Sequence, residues 1–199
     1  MGMYCSIHRL TSTEIEQLIA DPSRMNAMLG FDKGPPLREV RPKGILGLLL
    51  RLTPVSIHEV DPSLTEADFD IDPEKQLDVE KGWHGLHYLF TGTANEGRAP
   101  ACYMVKGGED LDDEGFARAL RPRQVKIFAE YLNELTPDIL RKRYDPRRMI
   151  ELDIYPGGWE NEPGGEHDPL QWLLDCFADA QSFVKRAAAA GDGLVIHVS

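Results

Sequence analysis

The residues best equipped for chemistry lie in one short stretch, LDVEKGWHGLHYLFTG at 77–92. His84 and His87 stand three residues apart, and on a helix that spacing makes two imidazoles neighbours able to share a proton, a metal or a ligand. Asp78 and Glu80 just before them could give His87 a carboxylate partner for hydrolase-like acid–base work. That scheme lacks a nucleophile, because GxSxG, HExxH and a recognisable Cys–His signature are all missing. Zinc asks for three or four protein ligands, and no third His or Cys falls at a ligand spacing. The aromatic, glycine-rich corner from Ile154 to Trp159 is the second place where a pocket could form. Trp83, His84, His87, Tyr155 and Trp159 are therefore the candidate lining of a small-molecule pocket, with apolar walls and a few polar groups. The plainer alternative makes His87 a satisfied core histidine and the corner a rigid turn whose rings plug the core.

Other patterns fail on inspection. Asp68, Asp70 and Asp72 alternate with Phe69 and Ile71, but a calcium loop starting at Asp68 would need Gly and Glu where Pro73 and Val79 stand. Gly107-Gly108 precedes Glu109, Asp110, Asp112, Asp113 and Glu114, whose charge would repel a phosphate, so a tight turn and surface loop are expected. Cys5, Cys102 and Cys176 have no metal or disulfide spacing and imply reduced thiols in a cytoplasmic setting, with Cys176 buried in the last helix. No motif calls for a cofactor or a metal.

A formal charge of −11 over 199 residues argues against nucleic acid and anionic lipid, and would suit a basic protein partner. The best apolar run, Ile45 to Leu50, is too short to span a membrane and is followed by Arg51 and Pro54. Hydrophobic and charged fractions of 42% and 28% are those of a globular protein, and the length suits one domain over 1–199.

The elements that must position these residues follow from periodicity. Met3 to Leu10 reads as a first strand, and Thr11 with Glu14 as a capping box opening a helix over Ile15, Leu18 and Ile19. A short helix with Met25 and Met28 as core filler ends at Gly30. Residues 31–76 form a variable, loop-rich and acidic segment, in which Ile45 to Leu52 could be helix or strand. The central helix is expected over 78–91, with Trp83, Leu86, His87 and Phe90 on one apolar stripe, His84 toward solvent, and Gly92 as its stop. Further helices begin at Pro122 (Val125, Phe128, Ala129 and Leu132 inside), after Thr136-Pro137, and at Asp145-Pro146 through Met149 and Ile150. The last helix runs from Asp168-Pro169 to Gly191, and Leu194 to Val198 closes the chain as a strand. Terminal strands with helices between them imply an α+β fold, helix-rich, with the N- and C-terminal strands in one small sheet.

Several of these segments resemble the YfbM-like family: residues 77–92, the Gly107-Gly108 turn, GFARALRPRQV at 115–125, MIELDIYPGGW at 149–159, and the ending with Phe177, Ala187 and Gly191. The resemblance implies a small bacterial cytoplasmic α+β protein of unknown function and brings no catalytic residues with it. Three functions stay open. The leading expectation is a protein-binding module, possible in an immunity or antitoxin-like form in which carboxylates cover a basic cleft. The alternatives are a small-molecule binding or sensing domain at the Trp/His/Tyr cluster, and a hydrolase-like enzyme using His87.

Overall fold

In a computed structural model, residues 2–30, 37–40, 57–60, 72–161 and 168–199 are described. They fall into two compact units, Met1–Ser23 with Asp72–Ser199, and Arg24–Ile71. The second contains helix α2 (Met25–Leu29), stopped by left-handed Gly30, and an antiparallel pair β2 (Leu37–Val40) and β3 (Ile57–Val60) with Leu37 opposite Val60. Met25 and Met28 are half-buried rather than core filler, since so short a helix has no fully buried face. The run at 45–52 and two carboxylates of the calcium pattern, Asp68 and Asp70, lie outside the described residues.

The larger unit is an α+β domain around a five-stranded antiparallel sheet in the order β4-β1-β7-β6-β5. These are β1 (Cys5–Leu10), β4 (Gln76–Glu80), β5 (Glu109–Asp110), β6 (Ala117–Leu120) and β7 (Gly193–Val198). The two terminal strands pair directly, Cys5 opposite Val198 through Leu10 opposite Gly193, as the sequence implies. Alternation then sorts the side chains. Cys5, Ile7, Leu194, Ile196, Val198 and Leu120 face the main core. Ala117, Ala119 and Val195 are also fully buried but face the other way. Helix α1 (Ser12–Ala20) covers part of that second face, with Ile15 so close over Gly193 that an added Cβ would overlap its Cγ1. The Thr11–Glu14 capping box that starts α1 is formed.

The main face carries α3 (Trp83–Thr91), α4 (Pro122–Glu134), α5 (Pro137–Arg143), α6 (Pro146–Glu151) and α7 (Pro169–Ala190). Each of the last four has Pro at its start, and α5, α6 and α7 are N-capped by Thr136, Asp145 and Asp168. Val125, Phe128 and Leu132 of α4 pack with Leu173, Phe177, Phe183, Val184 and Ala187 of α7. Burying a side chain of this size stabilises by about 1.5–3 kcal/mol. Mostly exposed ion pairs such as Lys106–Glu96 are screened by solvent and add little, so apolar burial decides stability.

Two expectations are corrected. The central helix starts at Trp83, not at Asp78, because Gln76–Glu80 pairs with β1 as an edge strand. Val79 points in while Asp78 and Glu80 point out, a strand alternation that the helical stripe further on had masked. Residues 109–120 are a hairpin and not simply a surface loop: Glu109 opposes Ala119, and left-handed Gly108 lies so close to Ala119 that a Cβ would meet its carbonyl at 2.5 Å.

Candidate functional site

Helix α3 is buried all round, from Trp83 to Phe90. A helix in that position must satisfy every polar group within the protein. Its last carbonyls are well served: Tyr131 Oη donates to Phe90 O at 3.1 Å, Arg143 Nη1 to Leu89 O at 3.0 Å, and Thr91 Oγ1 to His87 O at 2.8 Å. Gly92 then takes the left-handed conformation, and its N–H donates to Tyr88 O at 2.7 Å. From there residues 93–106, without regular structure, fold back over the helix. Thr93 Oγ1 accepts from Glu96 N at 3.1 Å and donates to Glu96 O at 2.6 Å, while Lys106 Nζ holds Glu96 Oε2 at 2.7 Å.

The five sequence-selected residues come together in part. Trp83 stacks on His84 at 5.0 Å between ring centroids, and Tyr155 lies tilted against Trp83 at 6.2 Å. Trp159 sits on the other side, 1% exposed, its Nε1 donating to Ile154 O at 2.7 Å and its ring stacked on Trp172 at 6.3 Å. Gly85 makes this possible, for a Cβ there would meet Trp159 at 2.9 Å and Leu173 at 2.7 Å. Trp159 is thus a core plug. Tyr155 is half-buried and its hydroxyl accepts from Met3 N at 2.9 Å.

His84 does not face solvent. It is 8% exposed and bonded at both nitrogens. The Tyr155 amide donates to Nδ1 at 3.0 Å, so Nδ1 carries the lone pair and Nε2 carries the proton it donates to Ala94 O at 2.9 Å. This fixes a neutral tautomer, and burial holds its pKa below the ordinary value.

His87 behaves differently. It is fully buried, yet among the described residues neither Nδ1 nor Nε2 has a hydrogen-bond partner. The Glu96 carbonyl stands alongside and favours protonation, but completes no hydrogen bond at either nitrogen. Burial, then His84 and the cations Lys106 and Arg118, push the pKa down to about 4. Trp83, four residues earlier on the same stripe, also has its indole N–H buried without an acceptor among the described residues. Asp78 and Glu80 do not assist His87: no hydrogen bond or ion pair joins them, and both are exposed on β4, with Asp78 accepting from the Glu80 amide at 2.7 Å.

Two features escaped the sequence reading. Arg118, in the middle of β6, is 3% exposed and within electrostatic reach of His87, Cys5 and Cys102. An arginine between alanines in FARAL was the available signal. On the opposite sheet face Ser6 Oγ and His8 Nε2 are hydrogen-bonded at 2.9 Å, but burial and neighbouring His197 push His8 down to about 4, which leaves a weak base. Cys5 and Cys102 are buried free thiols raised by burial, Cys5 to about 12; Cys176 is half-buried and also raised to about 12. Among the described residues no group of three or more His, Cys, Asp and Glu could hold a metal, and no helix is long and apolar enough to cross a membrane.

Comparison with known proteins agrees with the resemblance drawn from the residues. Protein YfbM of Escherichia coli (strain K12) is 32% identical over 88 residues, which is 42% of this chain and 53% of that protein. The chain thus aligns with about half the length of that curated relative. The crystal structure of YfbM from Escherichia coli, described as a protein of unknown function, superposes with a TM-score of 0.60 over 98% of this chain and 99% of that one. At 18% identity that likeness shows the fold alone. The model of the domain of unknown function DUF1877 matches residues 1–197, and the chain belongs to that family.

Proposed function

We propose that the protein is a small-molecule binding or sensing module whose ligand is received between α3 and residues 93–106. The observation that carries this reading is His87, a buried imidazole with both ring nitrogens unpartnered. Leaving a buried polar group unsatisfied costs about 1–3 kcal/mol, and an apolar side chain of similar shape would avoid that cost. His87 has both an acceptor and a donor available to a polar ligand, and Trp83 adds an indole N–H on the same stripe. An acid–base role is less well supported, because a neutral imidazole with a pKa of about 4 and no carboxylate partner is a poor base at neutral pH.

The test is a thermal-shift panel of small polar compounds on the wild type and on His87→Phe. A ligand at 100 times its Kd stabilises by about 2.7 kcal/mol, which is several degrees in a domain of this size. At least one compound should shift the wild type and shift the variant much less. A panel that leaves the wild type unmoved would overturn the reading.

A second reading, a basic protein partner in an immunity or antitoxin-like role, is favoured by the β5–β6 hairpin, where Asp110, Asp113 and Glu114 are exposed next to Phe116 at 44% exposure. Pull-down at low and high salt tests it; a partner held only at low salt is expected, and no partner at either would argue against it.

A further inference from the structure

Against residues 93–106 lies a buried cation that makes no ion pair among the described residues. Arg118 donates from Nη1 to Gly115 O at 2.8 Å and from Nη2 to Met104 O at 3.1 Å, while its buried Nε has no partner among the described residues. Among the described residues no carboxylate is in ion-pair contact with it, although eight other ion pairs form. Asp110 and Asp112 act on it only at a distance, and both Asp112 oxygens accept backbone N–H groups, of Phe116 at 2.9 Å and Ala117 at 2.8 Å. The groups facing it are Cys5 on β1, Cys102 from residues 93–106, His87 on α3 and Asp110, its register partner across the β5–β6 pair. Asp110 is an exposed carboxylate that makes no ion pair with Arg118, and burial raises both thiols and keeps them protonated at neutral pH.

Buried guanidinium groups are normally paired, because desolvation of the charge is repaid only by a counter-charge and complete hydrogen bonding. Arginine also presents a planar fork that fits a two-oxygen anion better than a single neutral acceptor. His87, unpartnered at both nitrogens, can turn an N–H toward the same anion. We infer, resting on the binding reading above, that the ligand is a small oxyanion, a carboxylate or an inorganic oxyanion, held by the Nε edge of Arg118 with an N–H of His87. The net charge of −11 does not oppose this, since what decides binding at a buried site is the field of the nearest groups rather than the total.

The test uses the full chain and the arginine Nε–H resonances, titrated with sodium formate, sodium acetate and sodium phosphate against sodium chloride at matched ionic strength. Arg118 is assigned by its absence in Arg118→Lys and, independently, by coupling to the Ala117 and Ala119 amides in the wild type. One Nε–H should shift saturably with formate and acetate or with phosphate, and the salt that saturates it at the lower concentration identifies the source. Arg118→Lys should bind that anion about tenfold or more weakly, since an ammonium cannot make the forked contact. If the lysine variant does not fold, saturation of the assigned wild-type resonance decides. A response no different from chloride, or an Nε–H protected by internal water alone and blind to every salt, overturns the inference. Neutral compounds stabilising through His87 while no oxyanion binds would sink the anion and leave the binding reading standing; failure of both panels removes both.

Discussion

Two buried histidines sit on opposite faces of the same sheet and differ in one respect. His8, under the α1 side, and His87, on the main-core side, are both pushed down to about 4, burial being the largest cause in each. His8 bonds Ser6 within its own strand, whereas His87 bonds nothing among the described residues. His84, one turn from His87, is held at both nitrogens. The protein can therefore satisfy an imidazole in this core, and the exception is local. Desolvation sets the charge state of all three; partners distinguish a structural histidine from one left open to a ligand.

The largest test of that comparison is acid. Both His8 and His87 are neutral in the fold and would gain a proton on unfolding below their ordinary 6.5. Their contribution to stability is complete above pH about 6.5 and is lost as pH falls from there through about 4, by roughly 3 kcal/mol per histidine. Urea unfolding at pH 7 and pH 4 should show the loss, and His87→Leu should lose less than the wild type because one of the two most strongly depressed histidines is gone. Equal losses would place His87 outside the buried class.

Next in size is His84→Ala, which strands the Tyr155 amide and the Ala94 carbonyl and leaves a void beside Trp83, for a loss of about 2–4 kcal/mol. Gly85→Ala should lose about 1 kcal/mol net, overpacking against Leu173 and Trp159 outweighing the helix-propensity gain. His87→Leu should stay within about 1 kcal/mol of the wild type at pH 7 or exceed it, because it removes a group that has no bonds to lose. Chemical denaturation orders the three. A His87→Leu loss as large as that of His84→Ala would erase the distinction between the two histidines.

Much of this arrangement was legible from residue types. The Trp83–Phe90 stripe, the Gly92 stop, the proline-started helices and the paired terminal strands all follow from local rules that tertiary packing did not override. What escaped was non-local. Asp78 looks helical beside the Trp83 stripe until β1 is placed next to it. His84 looks exposed by its angle on α3, and only residues 93–106 and the Tyr155 amide bury it. Arg118 draws no notice because nothing in FARAL shows that β6 is covered on both faces. Residue types alone could not separate Trp159, bonded to Ile154, from His87, which has no hydrogen-bond partner among the described residues.

The most direct measurement is a long-range 1H–15N spectrum of the histidine rings at pH 7 in the ligand-free protein. His84 should show one tautomer, protonated at Nε2. His87 should show nitrogen shifts averaged between its two neutral tautomers, collapsing to one when a stabilising compound is added. A His87 ring already fixed in one tautomer, and unmoved by every compound in the panel, would mean that the fold itself supplies its partner and would contradict the account.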